Sequence, residues 1–140
     1  MGFKQIEVVP PQISPLQPAG KAHQMKVFQM SRTDTVSALK MALPAQSSVT
    51  NVYLYRGGNS DAGTSATLTI TISDNSGTVS AGTRDVKANG DQTAIIQMTG
   101  LPNVEPLPLN GDLRITAVYA ETGTASTSGG PWKIGVEYVA

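Results

Sequence analysis

The stretch Ala66-Thr67-Leu68-Thr69-Ile70-Thr71-Ile72-Ser73 limits what this chain can become more than any other. Leu68, Ile70 and Ile72 alternate without a break with Thr67, Thr69, Thr71 and Ser73. In an extended chain successive side chains point to opposite faces, so the run has one dry side and one side lined with hydroxyls. Wound as a helix, the same residues would scatter around the cylinder, and their branched Cβ atoms favour a strand. A strand with one apolar face needs a second layer to cover it, so the neighbouring segments are read as its partners.

From His23 onward they read as short strands separated by turn chemistry. Gln24 to Met30 carries Met25 and Val27, with Phe28 off the alternation. Thr35 to Leu43 has the length of two helical turns, but Pro44 follows at once and Thr35 and Val36 open it, which favours a strand with Leu39, Met41 and Leu43 on one face. Val49 to Arg56 sets Val52 and Leu54 against Asn51, Tyr53 and Tyr55. The loop Gly57 to Gly63 then leads into the Thr/Ile strand, and the two strands are expected to pair as a hairpin. Asp74-Asn75-Ser76-Gly77 is a turn signal, followed by a weaker strand around Thr78 to Lys87. Asn89-Gly90 marks a further hairpin into Thr93 to Thr99, where Ala94, Ile96 and Met98 alternate with Ile95 and Gln97. Leu101 to Leu109 holds three prolines and reads as a crossing loop or edge segment.

Asp112 to Ala120 and Trp132 to Val139 close the chain with matched alternation. Paired directly, they would place Tyr119 near Trp132, Leu113 near Tyr138, and Arg114 with Glu137 on the other face. About eight strands and no convincing helix specify an all-β fold, an antiparallel β-sandwich of the jelly-roll kind.

Residues 1–22 differ in character. Pro10, Pro11, Pro15 and Pro18 fall among Val8, Val9, Ile13 and Leu16. Proline fixes φ and lacks an N–H, so the segment is neither helix nor central strand, and an extended polyproline-like arm is expected. A solvated leader is the plain alternative, against which the four apolar residues speak. The organisation is thus an arm over 1–22 and one sandwich domain over 23–140. Phe3, Ile6, Val8, Val9, Ile13 and Leu16 are the candidate protein-interface residues.

Composition narrows the chemistry. The chain of 140 residues has no cysteine, which removes disulfides, thiolate catalysis and cysteine-based zinc sites together. Ten basic and ten acidic residues balance, and charged residues total 14% against a usual ~25%. No basic patch offers itself to nucleic acid, and no apolar run approaches the ~20 residues that span a bilayer. Met1 to Ile6 lacks a signal-peptide core, so no export signal is expected.

His23 is the single histidine, and no nucleophile elbow accompanies it, so neither a catalytic relay nor a metal site is expected, and no cofactor. Asp61, Asp74, Asp91 and Asp112 sit in predicted turns beside Asn59, Asn75, Asn89 and Asn110. Calcium takes oxygen ligands on such loops, but these residues also cap their own backbone, and turn chemistry is the favoured reading. Tyr53, Tyr55 and Trp132 are the aromatics a sugar could stack on, and packing is the simpler role for them.

In layout the chain resembles small structural proteins of tailed bacteriophage virions, especially capsid cement or decoration proteins. The resemblance rests on the Pro-rich apolar arm, the cysteine-free Thr/Ser/Gly/Ala-rich β domain, and the closing strands that end on Gly135-Val136-Glu137-Tyr138-Val139-Ala140. It covers the whole chain loosely and is strongest from Asn110 to Ala140. It implies a non-enzymatic sandwich, often a homotrimer, bound to the outside of an assembled shell with its arm over a neighbour. The implied partners are the major capsid protein or other virion subunits. The implied location is the virion, assembled in the host cytoplasm. A phage tail, fibre or head-to-tail component has the same composition. A carbohydrate-binding sandwich using Tyr53, Tyr55 or Trp132 and the Gly57 to Gly63 loop is the third reading.

Overall fold

A computed structural model describes residues 23–44, 47–99 and 112–139. Its strands are β1 His23–Met30, β2 Ala38–Leu43, β3 Ser48–Tyr55, β4 Ser65–Asp74, β5 Gly77–Asp85, β6 Ala94–Ile96, β7 Leu113–Thr122 and β8 Trp132–Val139. No helix occurs among the described residues. The expected arm residues Phe3, Ile6, Val8, Val9, Ile13 and Leu16, and the expected crossing loop Leu101 to Leu109, lie outside them.

The strands form two four-stranded sheets, sheet A in the order β1-β8-β3-β6 and sheet B in the order β2-β7-β4-β5. Each strand pairs antiparallel with its mirror image in the chain: β1 with β8, β2 with β7, β3 with β6, β4 with β5. The polypeptide is therefore one long ribbon, folded at Asn75-Ser76 and rolled until β3 meets β8 and β4 meets β7. That is the jelly-roll form of the sandwich.

The Thr/Ile run became β4, near the middle of sheet B, and its burial alternates without a fault from Ser65 to Asp74. Leu68, Ile70 and Ile72 are fully buried against the inward faces of β3 and β8, whose Val52, Leu54, Ile134 and Val136 are equally dry. Each such side chain stabilises the fold by roughly 1.5–3 kcal/mol relative to exposure. Leu113, Ile115, Ala117 and Tyr119 on β7 complete the inner layer of sheet B, on the face the alternation assigned to them.

Three expected hairpins are absent. β3 and β4, β5 and β6, and β7 and β8 each lie in opposite sheets, so the connections 56–64, 86–93 and 123–131 cross the sandwich instead of turning back. The Asn89-Gly90 signal sits in one of these crossings. β5 instead meets the residues just after β6, through an isolated bridge between Gly82 and Met98, the Thr99 N–H donating to the Ala81 carbonyl and the Ser80 hydroxyl donating to the Thr99 carbonyl, which closes that flank of the sandwich. The expected Arg114–Glu137 pairing is not formed: the Arg114 guanidinium donates to the Asp74 carbonyl at 2.6 Å and to Asn75 Oδ1 at 3.1 Å. Tyr119 and Trp132 do stack, with ring centroids 5.6 Å apart, but across the core between sheets rather than along one.

The faces of β1 and β2 also differ from expectation. On β1, Phe28 and Met30 turn inward, while Met25 and Val27 point out and are 42% and 51% exposed. On β2 a register shift between Leu39 and Met41 breaks the alternation, so Leu43 is buried while Leu39 is turned to solvent. A bulge of this kind puts the residues on its two sides out of phase. The strand itself begins at Ala38, because residues 31–37 are used in a turn where Asp34 accepts from the Ser31 N–H and its carbonyl accepts from the Tyr119 N–H.

Candidate interaction surface

The two outer faces of the sandwich are chemically unlike. Sheet B presents Thr67, Thr69, Thr71 and Ser73 of β4, with Thr116 and Thr83 in register beside them. Sheet A presents an apolar band. Its register aligns Val27, Gly135, Tyr53 and Ile95 in one row across all four strands. Met25 lies in the row on one side and Tyr55 in the row on the other. Ile95 is 49% exposed, comparable with Met25 and Val27, so three large apolar side chains meet solvent on one face. Exposed Val36 and Leu39 belong to β2 and the turn before it, on the other sheet.

Gly135 forms the floor of the band. A Cβ there would stand 2.7 Å from Tyr55 Cε2 and 3.0 Å from Met25 Sδ, so only glycine lets both side chains lie flat over β8. Tyr53 and Tyr55, two apart on β3, have centroids 6.4 Å apart at a tilt of 35°. Polar groups border the band at the His23 end. Glu137 Oε1 accepts from Thr50 Oγ1 at 2.9 Å, Asn51 Nδ2 at 3.0 Å and Tyr53 O–H at 3.4 Å. Its other oxygen is 3.8 Å from His23 Nδ1. The Asn51 amide, then the Thr50 hydroxyl, hold the Glu137 carboxyl below its ordinary pKa, against the opposing effect of burial. Partly dry surroundings, then the Glu137 charge, push the Tyr53 phenol above its own. The carboxylate is thus fixed as an ionised border post, oriented by three donors.

A second polar cluster lies at the opposite end of β8. Ser60 Oγ and Tyr119 O–H are 2.8 Å apart, and the phenol donates to Glu121 Oε1 at 2.6 Å. Ser126 donates to both Glu121 oxygens, through its hydroxyl and its N–H. Arg32 holds the same loop by the Ser126 and Thr127 carbonyls. The Asp61 carboxylate takes the Thr127 and Ser128 N–H groups and the Thr127 hydroxyl, which drives its pKa far down. Asp74 caps the β4–β5 turn through the Ser76 N–H and hydroxyl. These are loop and turn assignments, as expected for Asp61 and Asp74, and no group of three or more His, Cys, Asp or Glu that could hold a metal occurs among the described residues.

Of the candidate aromatics, Tyr53 and Tyr55 lie on the outer band, whereas Trp132 is fully buried and offers no platform. His23 lies against Glu137 near the C-terminal end of β8, far along the strand from Trp132, on which Tyr119 of the Ser60–Tyr119 pair stacks. Sequence reading missed Met25 and Val27 as surface residues; it set Ile95 and Gly135 opposite the core faces of their strands, but not the row that joins them to Val27 and Tyr53. The usable signal was the doublets Val27-Phe28 and Ile95-Ile96, which mark strands that are apolar on both faces.

No protein-family model matches the sequence, and no curated protein matches it either. Among solved structures, a chain described as "Cyanophage Pam1 capsid asymmetric unit" is similar over 99% of this chain and 96% of its own length. The TM-score is 0.54 at 17% sequence identity, a likeness of fold.

Proposed function

We propose that this protein is a non-enzymatic structural component of a phage virion, a cement or decoration protein that stabilises the head by bridging capsid subunits. The carrying observation is the pairing of a jelly roll, alike end to end with a chain of a phage capsid asymmetric unit, with an apolar band on one outer face. A sandwich of this kind needs no reactive group: attachment to a symmetric lattice makes individually weak contacts collectively strong. In this reading the protein is a homo-oligomer, a trimer, seated on the major capsid protein or other virion subunits. It is assembled in the host cytoplasm and resides in the virion. Residues 1–22 form the arm, and Phe3, Ile6, Val8, Val9, Ile13 and Leu16 take part in the interfaces.

The test is binding of the purified protein to empty phage capsids, with its position on particles fixed by labelling. Many copies distributed over the head support the proposal, whereas a few copies at the tail or one vertex would replace it with a tail or fibre role. Deleting residues 2–20 should weaken attachment at least tenfold. The outward Tyr53–Tyr55 pair favours one second reading, a sugar platform. Glycan binding that vanishes in Tyr53→Ala would support that alternative.

A further inference from the structure

We infer that the apolar band on sheet A is the seat for residues 8–16 of a neighbouring copy of this chain, so that copies are linked by exchanged arms. This deepens the assembly reading above and rests on it.

The face and the segment match in chemistry. The band holds Met25, Val27, Tyr53, Tyr55 and Ile95 over the Gly135 floor, with no charged side chain in its central row. Residues 8–18, Val-Val-Pro-Pro-Gln-Ile-Ser-Pro-Leu-Gln-Pro, carry no charge at all. Proline-rich segments dock on aromatic-lined grooves because their extended form is already fixed and little freedom is lost on binding. Tyr53 and Tyr55 supply such a lining, and Pro15-Leu16-Gln17-Pro18 has the spacing that presents two prolines to one side.

Reach decides which copy supplies the segment. The chain enters sheet A at His23, on the edge strand β1. At ~3.1 Å per residue, Leu16 lies about 22 Å and Val8 about 46 Å ahead of that point in an extended arm. Strand β1 itself is only about 27 Å long at ~3.4 Å per residue. An arm that continues outward therefore carries its apolar part beyond its own body and onto the next. Covering its own face would require a reversal within the few residues after Pro18.

The absence of cysteine gives a clean experiment. Full-length Leu16→Cys protein is mixed with full-length Ile95→Cys protein and oxidised gently. A mixed dimer should form at least tenfold faster than with a Thr69→Cys partner, whose cysteine lies on the hydroxyl face of sheet B. Equal rates for the two partners would overturn the inference. So would a Leu16→Cys/Ile95→Cys double variant that closes within one chain at a rate independent of concentration, the signature of an arm on its own body. Val27→Asp, at an exposed position, should lower oligomer affinity at least tenfold while the chain still unfolds in a single cooperative transition. Head binding is measured separately. Exchange without capsid binding defeats only the assembly reading, and capsid binding without exchange defeats only the inference.

Discussion

At the level of single residues, three carboxylates of this protein tie loops and neighbouring strands together, and that fixes its response to acid. Glu121 is held below its ordinary pKa by the Ser126 hydroxyl and then Tyr119, Glu137 by Asn51 and then Thr50, and Asp61 by the Ser128 and Thr127 groups. All three are lowered in the folded state, so the unfolded chain binds protons first as pH falls. Their contribution is complete above the ordinary values of 4.5 for Glu and 3.8 for Asp and is lost as pH drops through the lowered folded values. Urea midpoints should stay level from about pH 7 to about pH 5 and fall steadily below about pH 4. A midpoint that held its value to about pH 2 would contradict this account. Gly82 shows a constraint hidden from sequence. A Cβ there would collide with the Gln97 carbonyl and stand 2.6 Å from Met98 Sδ, so the seam between β5 and β6 closes only over glycine. In the sequence the same residue merely interrupts a strand.

Strands were legible in their faces and much less so in their partners. Period-2 alternation placed the inward residues of β3, β4, β6, β7 and β8 correctly, because a buried face tolerates no slip of register. Pairing was readable only where the connection is too short to do anything else, at Asn75-Ser76 between β4 and β5. The longer connections span the sandwich as readily as they return along a sheet, and local turn chemistry carries no information about which they do. The β2 bulge arises from packing between layers, which period-2 alternation does not encode, and on β1, apolar on both faces, alternation alone could not say that Phe28 and Met30 rather than Met25 and Val27 turn inward. The candidate surface was only partly legible for this reason: Met25 and Val27 were read as the apolar face of β1, while Ile95, Tyr53 and Tyr55 were set on the outer faces of their strands without the registry that joins them. The central strand supplies the sharpest test. Ile70→Ala removes a fully buried side chain between two paired neighbours and should cost about 2–5 kcal/mol, whereas Thr69→Ala on the outer face should cost under about 1 kcal/mol. Chemical denaturation of both variants checks the contrast, and equal losses would mean that the inner face is not the load on which β4 depends.

The whole molecule is an assembly of distant pairings. β1 at residues 23–30 lies against β8 at 132–139, and β2 against β7, so most of the sheet hydrogen bonds join segments far apart in the chain. Closing such large loops before any contact rewards them slows folding, and sandwiches of this kind fold in milliseconds to seconds. Stopped-flow refolding followed by the buried Trp132 should show a main phase slower than about 1 ms, and a microsecond phase of full amplitude would be incompatible with this topology. Of the pairings, only β4 with β5 is local. β8 has a special place among the rest, since it sits between β1 and β3 and is made after both. While a ribosome is still translating the residues before Trp132, β1 has no companion to zip onto and β3 has only the three-residue β6, so the edges that β8 will fill stay open to whatever is near. Sheet A is therefore complete only once β8 has been made, and a nascent chain stalled short of β8 should be a client for chaperones rather than a smaller version of the protein.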